Sequence, residues 1–237
     1  MEASIPPVTG GHFNYLLFFD SRGYTTCSDN TLTIADMTVS CLKASGMSFL
    51  AVFRPLNLTI FPTLINFLVN QSLSFDVLIT NLGFVDHTPK KIDLVEDMIR
   101  QSTAILSDWG NIIELEEYRL SSGELTTLKS IEYSADMEKL IGRTLAERFS
   151  KAFLVNTPVI DKNWEFERPR PECFFQRILS ANELVRRIAR LSTSKLIDIS
   201  GAGKFGRFAY DAVHYTGEGH KTIGDLIIAE LHKNRSL

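Results

Sequence analysis

Five short apolar runs, set between stretches of helical spacing, constrain the fold of this chain more than any other feature. They are FNYLLFF (13–19), SFLAVF (48–53), FDVLITNL (75–82), KAFLVNTPVI (151–160) and SKLIDIS (194–200). Runs of this length, apolar nearly throughout, read as strands covered on both faces. Helical spacing falls over 30–45, 58–70, 90–107, 181–192 and 219–234, with Gly46 as a stop for the first. Strands that alternate with helices pair in parallel through right-handed crossovers. The expectation is an α/β chain: a three-layer α/β/α sandwich on a flavodoxin-like, parallel five-stranded sheet, in one domain of 237 residues. Polar residues 108–150, including RLSSGELTTL, interrupt the alternation. They read as a mainly helical insertion, with its helix from Ser134 to Phe149.

Charge and cysteine content narrow the function classes. A net charge of −3 makes no case for nucleic acid or an anionic membrane as partner. Cys27, Cys41 and Cys173 are odd in number and widely spaced, which fits neither a disulfide framework nor a zinc cluster. Reduced thiols, together with no basic, apolar leader in MEASIPPVTGGH, point to the cytoplasm. The longest apolar stretch, Leu58 to Val69, contains Pro62 and falls short of the roughly 18 residues a membrane helix needs. His87 and Asp86 adjoin without metal-ligand spacing, so neither a metal nor another cofactor is implied.

Ligands of such sheets sit beyond the carboxyl ends of the strands. Three features reach that edge. Ser21 follows the first strand in FFDSRG, Gly83 ends the third, and YDAVHYTGEGH follows the fifth. In the last, Asp211 and His214 are spaced so that a carboxylate can take the imidazole Nδ1–H and leave Nε2 facing a nucleophile. The segment GAGKFG (201–206) matches a dinucleotide fingerprint but comes late, and no further strand follows it. It reads as a loop that carries Asp211 and His214 into place.

These blocks resemble the SGNH (GDSL-like) hydrolases. The family's first block, Gly-Asp-Ser after strand one, reads Phe19-Asp20-Ser21 here. Its last, Asp-x-x-His before a helix with a Gly-His start, reads Asp211-Ala-Val-His214 and then Gly219-His220. Its third, Gly-x-Asn-Asp, reads Gly83-Phe84-Val85-Asp86. The resemblance implies a serine esterase with Ser21 as nucleophile, His214 as base and Asp211 as its orienting acid, working through an acyl-serine on a small-molecule or glycan acyl ester. An O-acyltransferase acting on a sugar or secondary metabolite uses the same residues, and a non-catalytic binding protein on the same fold is the third reading.

The chain departs from the family at the oxyanion site. Val85 replaces the asparagine that donates to the oxyanion, and FRPLNLT after strand two has no clear glycine counterpart. The remaining oxyanion candidates are Ser21, Leu56, Asn57, Asn81 and Gly83. Arg22 and Arg54 are candidates to receive a carboxylate or phosphate on the substrate; the ordinary alternative is an arginine facing solvent or paired with an acid.

Overall fold

The computed structural model describes residues 14–25, 31–52, 59–102, 111–119, 123–159, 170–201, 208–211 and 213–233. Five strands form a wholly parallel sheet: β1 (Asn14–Phe18), β2 (Ser48–Val52), β3 (Val77–Thr80), β7 (Lys151–Val155) and β8 (Lys195–Ile197), in the order β2-β1-β3-β7-β8. Apolar residues meet along the register: Leu16 lies opposite Leu50 and Leu78, and Ile79 opposite Phe153. Leu16, Leu17, Phe18, Leu78 and Ile79 are fully buried, as the central strands of a sheet covered on both faces must be. The expected three-layer α/β/α architecture is therefore the observed one.

Helices complete the outer layers. On one face α1 (Ile34–Ala44) packs against α7 (Gly217–Lys233). On the other lie α2 (Phe61–Asn70), α4 (Ile92–Ser102), α5 (Ala135–Arg148) and α6 (Glu172–Leu191). Local chemistry sets their ends. Thr33 Oγ1 accepts from the Asp36 N–H at 3.1 Å while the Asp36 carboxylate accepts from the Thr33 N–H at 3.0 Å, a capping box that starts α1. Pro62 falls in the first turn of α2, where its missing N–H is not needed.

Two expectations need correction. Helix α6 begins at Glu172, well before the expected 181, because Pro171 stands just ahead of the first turn, where a proline initiates rather than breaks a helix. Part of the expected mainly helical insertion is instead a β-hairpin, β5 (Asn111–Arg119) with β6 (Leu125–Glu132), the pair bulged between Glu114 and Glu116. Together with β4 (Lys90–Lys91), which follows the short helix α3 (Phe84–His87), it makes a second sheet in the order β4-β6-β5. Only Leu128, Ser130 and Ile131 of the hairpin are buried, so its sequence carries little alternation. The helix within that segment, α5, is the crossover from β3 to β7.

Candidate active site

Ser21 opens a 3-10 turn, Ser21–Gly23, directly beyond β1. Gly23 has to be a glycine, since a Cβ there would lie 2.6 Å from Phe19 Cβ. Asp20 caps the turn by accepting from the Arg22 N–H at 3.0 Å. Asp211 and His214 come from a loop between β8 and α7. That loop is drawn closed by an antiparallel bridge between Ala209 and Tyr215, and by bonds from the Tyr210 N–H to the His214 carbonyl and from the Thr216 N–H to the Phe208 carbonyl, both at 3.0 Å.

Residues 193 positions apart in the sequence meet at this edge. The Ser21 Oγ is 3.2 Å from His214 Nε2, and His214 Nδ1 is 2.9 Å from Asp211 Oδ2. With the carboxylate accepting from Nδ1–H, Nε2 keeps its lone pair and accepts from the serine hydroxyl. The other carboxylate oxygen accepts the N–H groups of Val213 at 3.0 Å and His214 at 2.7 Å, fixing Asp211 within its own turn. Burial pushes the Asp211 carboxyl up, but the hydrogen bonds from the His214 ring and backbone outweigh it and hold the group down at about 2. The side chains of His214 and Asp211 keep 23 % and 32 % of their surface exposed, so the group of three is open to solvent.

Several neighbours brace this chain of contacts. The Tyr210 ring stacks on His214 at 6.0 Å between centroids. Arg170 donates to the Asp211 carbonyl at 3.1 Å with its guanidinium over the Phe174 ring. His220, buried in the first turn of α7, accepts the Ile34 N–H at Nδ1 (3.2 Å) and donates from Nε2 to the Thr25 carbonyl (2.9 Å). It thereby joins α7 to the start of α1 and to the stretch after the Ser21 turn. The Gly-His start of the last helix was the signal for His220; nothing in the sequence marked Tyr210 or Arg170.

Other candidates fall elsewhere. Arg22 is 0 % exposed and paired with Asp20 at 2.7 Å, which removes it as a receptor for a substrate anion. Asn81 is 1 % exposed and committed to Asp20: its Nδ2 donates to the carboxylate at 2.9 Å and its Oδ1 accepts the Asp20 N–H at 2.8 Å. It is not an oxyanion donor. Nor is Gly83, whose N–H donates to Asp86 Oδ2 at 2.9 Å. Val85 is buried. Ser21 stays a candidate, because the opening N–H groups of a helical turn have no partner within it. Arg54, Leu56 and Asn57 lie outside the described residues, as does most of the GAGKFG segment.

Asp86 is the hub of a separate buried cluster. It accepts from the Phe61 and Gly83 N–H groups, both at 2.9 Å, and from the Tyr133 hydroxyl at 2.5 Å. Burial raises its carboxyl to about 6 against those hydrogen bonds. Beside it, burial and the nearby Arg177 hold the His87 imidazole down to about 3. Among the described residues, no group of three or more His, Cys, Asp or Glu side chains could hold a metal ion. None of their helices is long and apolar enough to cross a membrane.

No protein-family model and no curated protein matches the chain. Solved structures do. The acetylxylan esterase Axe2 of Geobacillus stearothermophilus superposes with a TM-score of 0.55 at 13 % identity, over 93 % of this chain and 94 % of its own. LAE5, an alpha/beta hydrolase from the metagenome of Lake Arreo, Spain, gives 0.53 at 14 %, over 92 % and 94 %. At this identity the likeness establishes the fold. Three further Axe2 structures are of catalytic mutants, with a serine, an aspartate or a histidine replaced by alanine; that aspartate and histidine are three positions apart.

Proposed function

We propose that the chain is a serine acyl-ester hydrolase of SGNH type that works through Ser21, His214 and Asp211. The observation that carries this reading is the unbroken line from Ser21 Oγ to His214 Nε2 and from His214 Nδ1 to Asp211, at 3.2 and 2.9 Å. Axe2, a deacetylating neighbour, has catalytic mutants at the same three residue types, with the same acid-to-histidine spacing.

In this mechanism His214 takes the Ser21 proton as Oγ attacks the acyl carbonyl, then gives it to the leaving alcohol. Asp211 holds the ring and stabilises the imidazolium. The Ser21 N–H donates to the oxyanion. Losing one oxyanion donor costs about 3–4 kcal/mol, so Val85 makes this a slower esterase than one with the family asparagine. Water releases the acyl group from the acyl-serine, and an alcohol bound in its place makes the reaction a transfer. The substrate class is a small-molecule or glycan acyl ester.

The test is turnover of p-nitrophenyl acetate together with labelling by a fluorophosphonate. Ser21→Ala abolishes both if the reading is right. Turnover that survives the substitution removes Ser21 from the mechanism.

A further inference from the structure

Arg22 is the largest fully buried side chain among the described residues. Its Nε contacts both Asp20 oxygens at 3.0 Å, and its Nη2 donates to Asp20 Oδ2 at 2.7 Å and also to the Asn81 carbonyl. The guanidinium carbon sits 4.4 Å from the centroid of the Phe84 ring. Asn81 holds Asp20 in turn, through its side-chain amide and its Oδ1. The residues on both sides of Ser21 are thus fastened to the segment that follows β3.

The far side of the guanidinium faces the histidine loop. Arg22 Nη1 and the Tyr215 hydroxyl are both buried, and neither makes a hydrogen bond of full geometry, although the hydroxyl is near enough to Arg22 and Thr157 to interact with both. Tyr215 lies within electrostatic reach of Arg22 and of Thr157 beyond β7, and it directly follows His214. A buried ion pair is a poor source of stability, because apolar residues of similar volume often fold as well or better. What a two-pronged guanidinium–carboxylate contact does supply is a fixed direction.

We propose that Arg22 is a positioning residue: by clamping Asp20 and Asn81 and bearing on Tyr215, it sets the distance between Ser21 on one segment and His214 on the other. This rests on the triad reading above. It assigns Arg22 no contact with substrate.

The experiment measures the fluorophosphonate labelling rate of Ser21, kcat and KM on p-nitrophenyl acetate, and Tm, for Arg22→Lys and Tyr215→Phe. Lysine keeps the charge but loses the fork. A displacement of about 1 Å at the reacting atoms lowers rates about 100-fold, so labelling and kcat of Arg22→Lys fall by that factor while KM stays within about threefold. Tyr215→Phe removes only a hydroxyl and lowers both rates about tenfold without a change in Tm. Folded Arg22→Lys protein that labels at the parental rate overturns the proposal. If Arg22→Lys does not fold, Tyr215→Phe decides it, and parental labelling there overturns it equally. A merely structural Arg22 lowers Tm and leaves the labelling rate of folded protein unchanged. Failure of the triad reading looks different: the parent itself takes up no label at Ser21.

Discussion

Gly219→Ala places one methyl group under the histidine loop. Gly219 is buried in the first turn of α7. An added Cβ would lie 2.0 Å from the Phe208 carbonyl oxygen, 3.0 Å from its carbon and 3.1 Å from Tyr215 Cβ. Two of these are backbone atoms, so no rotamer change relieves the clash. To reach even 3.0 Å, which Cβ contacts essentially never go below, loop and helix must part by at least 1.0 Å. The Phe208 carbonyl accepts the Thr216 N–H, so the movement passes into the closed loop that carries Asp211 and His214. Overpacking of this kind costs about 1–3 kcal/mol, and for a chain of this size each kcal/mol is worth about 2–4 °C in Tm. The expected loss in Tm is about 2–12 °C. A shift of about 1 Å would stretch the Ser21–His214 contact well beyond 3.2 Å, out of hydrogen-bond range, and costs about 100-fold in kcat. Thermal melts and p-nitrophenyl acetate turnover on one preparation measure both. Gly201→Ala, where a Cβ meets nothing within 4 Å, is the matched control and should behave as the parent. A Gly219→Ala protein with parental Tm and turnover would refute the packing of the loop on α7.

Asp211→Asn turns an amide toward the His214 Nδ1–H and forces the wrong tautomer; kcat should fall by roughly 10³–10⁴ at nearly constant KM, measured by ester turnover. Gly83→Ala meets both an unfavourable φ of +110° and a Cβ only 2.4 Å from Val185 Cγ2, so it should lower Tm more than Gly219→Ala does. The buried pair His87 and Asp86 makes a pH prediction. His87 is lowered to about 3, so its contribution is full above about 6.5 and is lost as pH falls toward 3. Asp86 is raised to about 6, so its contribution is full below about 3.8 and is lost as pH rises through 6. Between about pH 4 and 6 the two slopes oppose each other. Asp86→Asn therefore exposes an acid loss of about 1.4 kcal/mol per pH unit relative to the parent, read by denaturant unfolding; parallel pH profiles for the two proteins would contradict it. Burial and the bond to Glu116 push the Cys173 thiol up to about 12, so mass spectrometry after mild alkaline alkylation of the folded protein should find it unmodified.

The sheet was legible because β1, β3 and β7 are buried on both faces and so are written as unbroken apolar runs. The catalytic candidates were legible because the turn after β1 and the loop before α7 each keep their chemistry within a few residues. The β5–β6 hairpin was not, since so few of its side chains are buried that alternation never develops. Arg22 shows the limit most clearly. An arginine beside a nucleophile reads as a substrate receptor or, more ordinarily, as one facing solvent or paired with an acid; the pairing with Asp20 is what the structure holds, and only the packing of Asn81 and Phe84 around it reveals a fully enclosed cation. The network depends on contacts between residues about sixty positions apart, which no local pattern encodes.

His220 turns one ring into a fastener between distant parts of the sequence. Its imidazole accepts the amide that opens α1 and donates to a carbonyl beside the Ser21 turn. Without that ring the amide that opens α1 loses its acceptor, even though His214 lies ahead of α7. A single buried side chain thus fastens α7 to α1 and to the stretch beside Ser21, so a change at His220 reaches both at once.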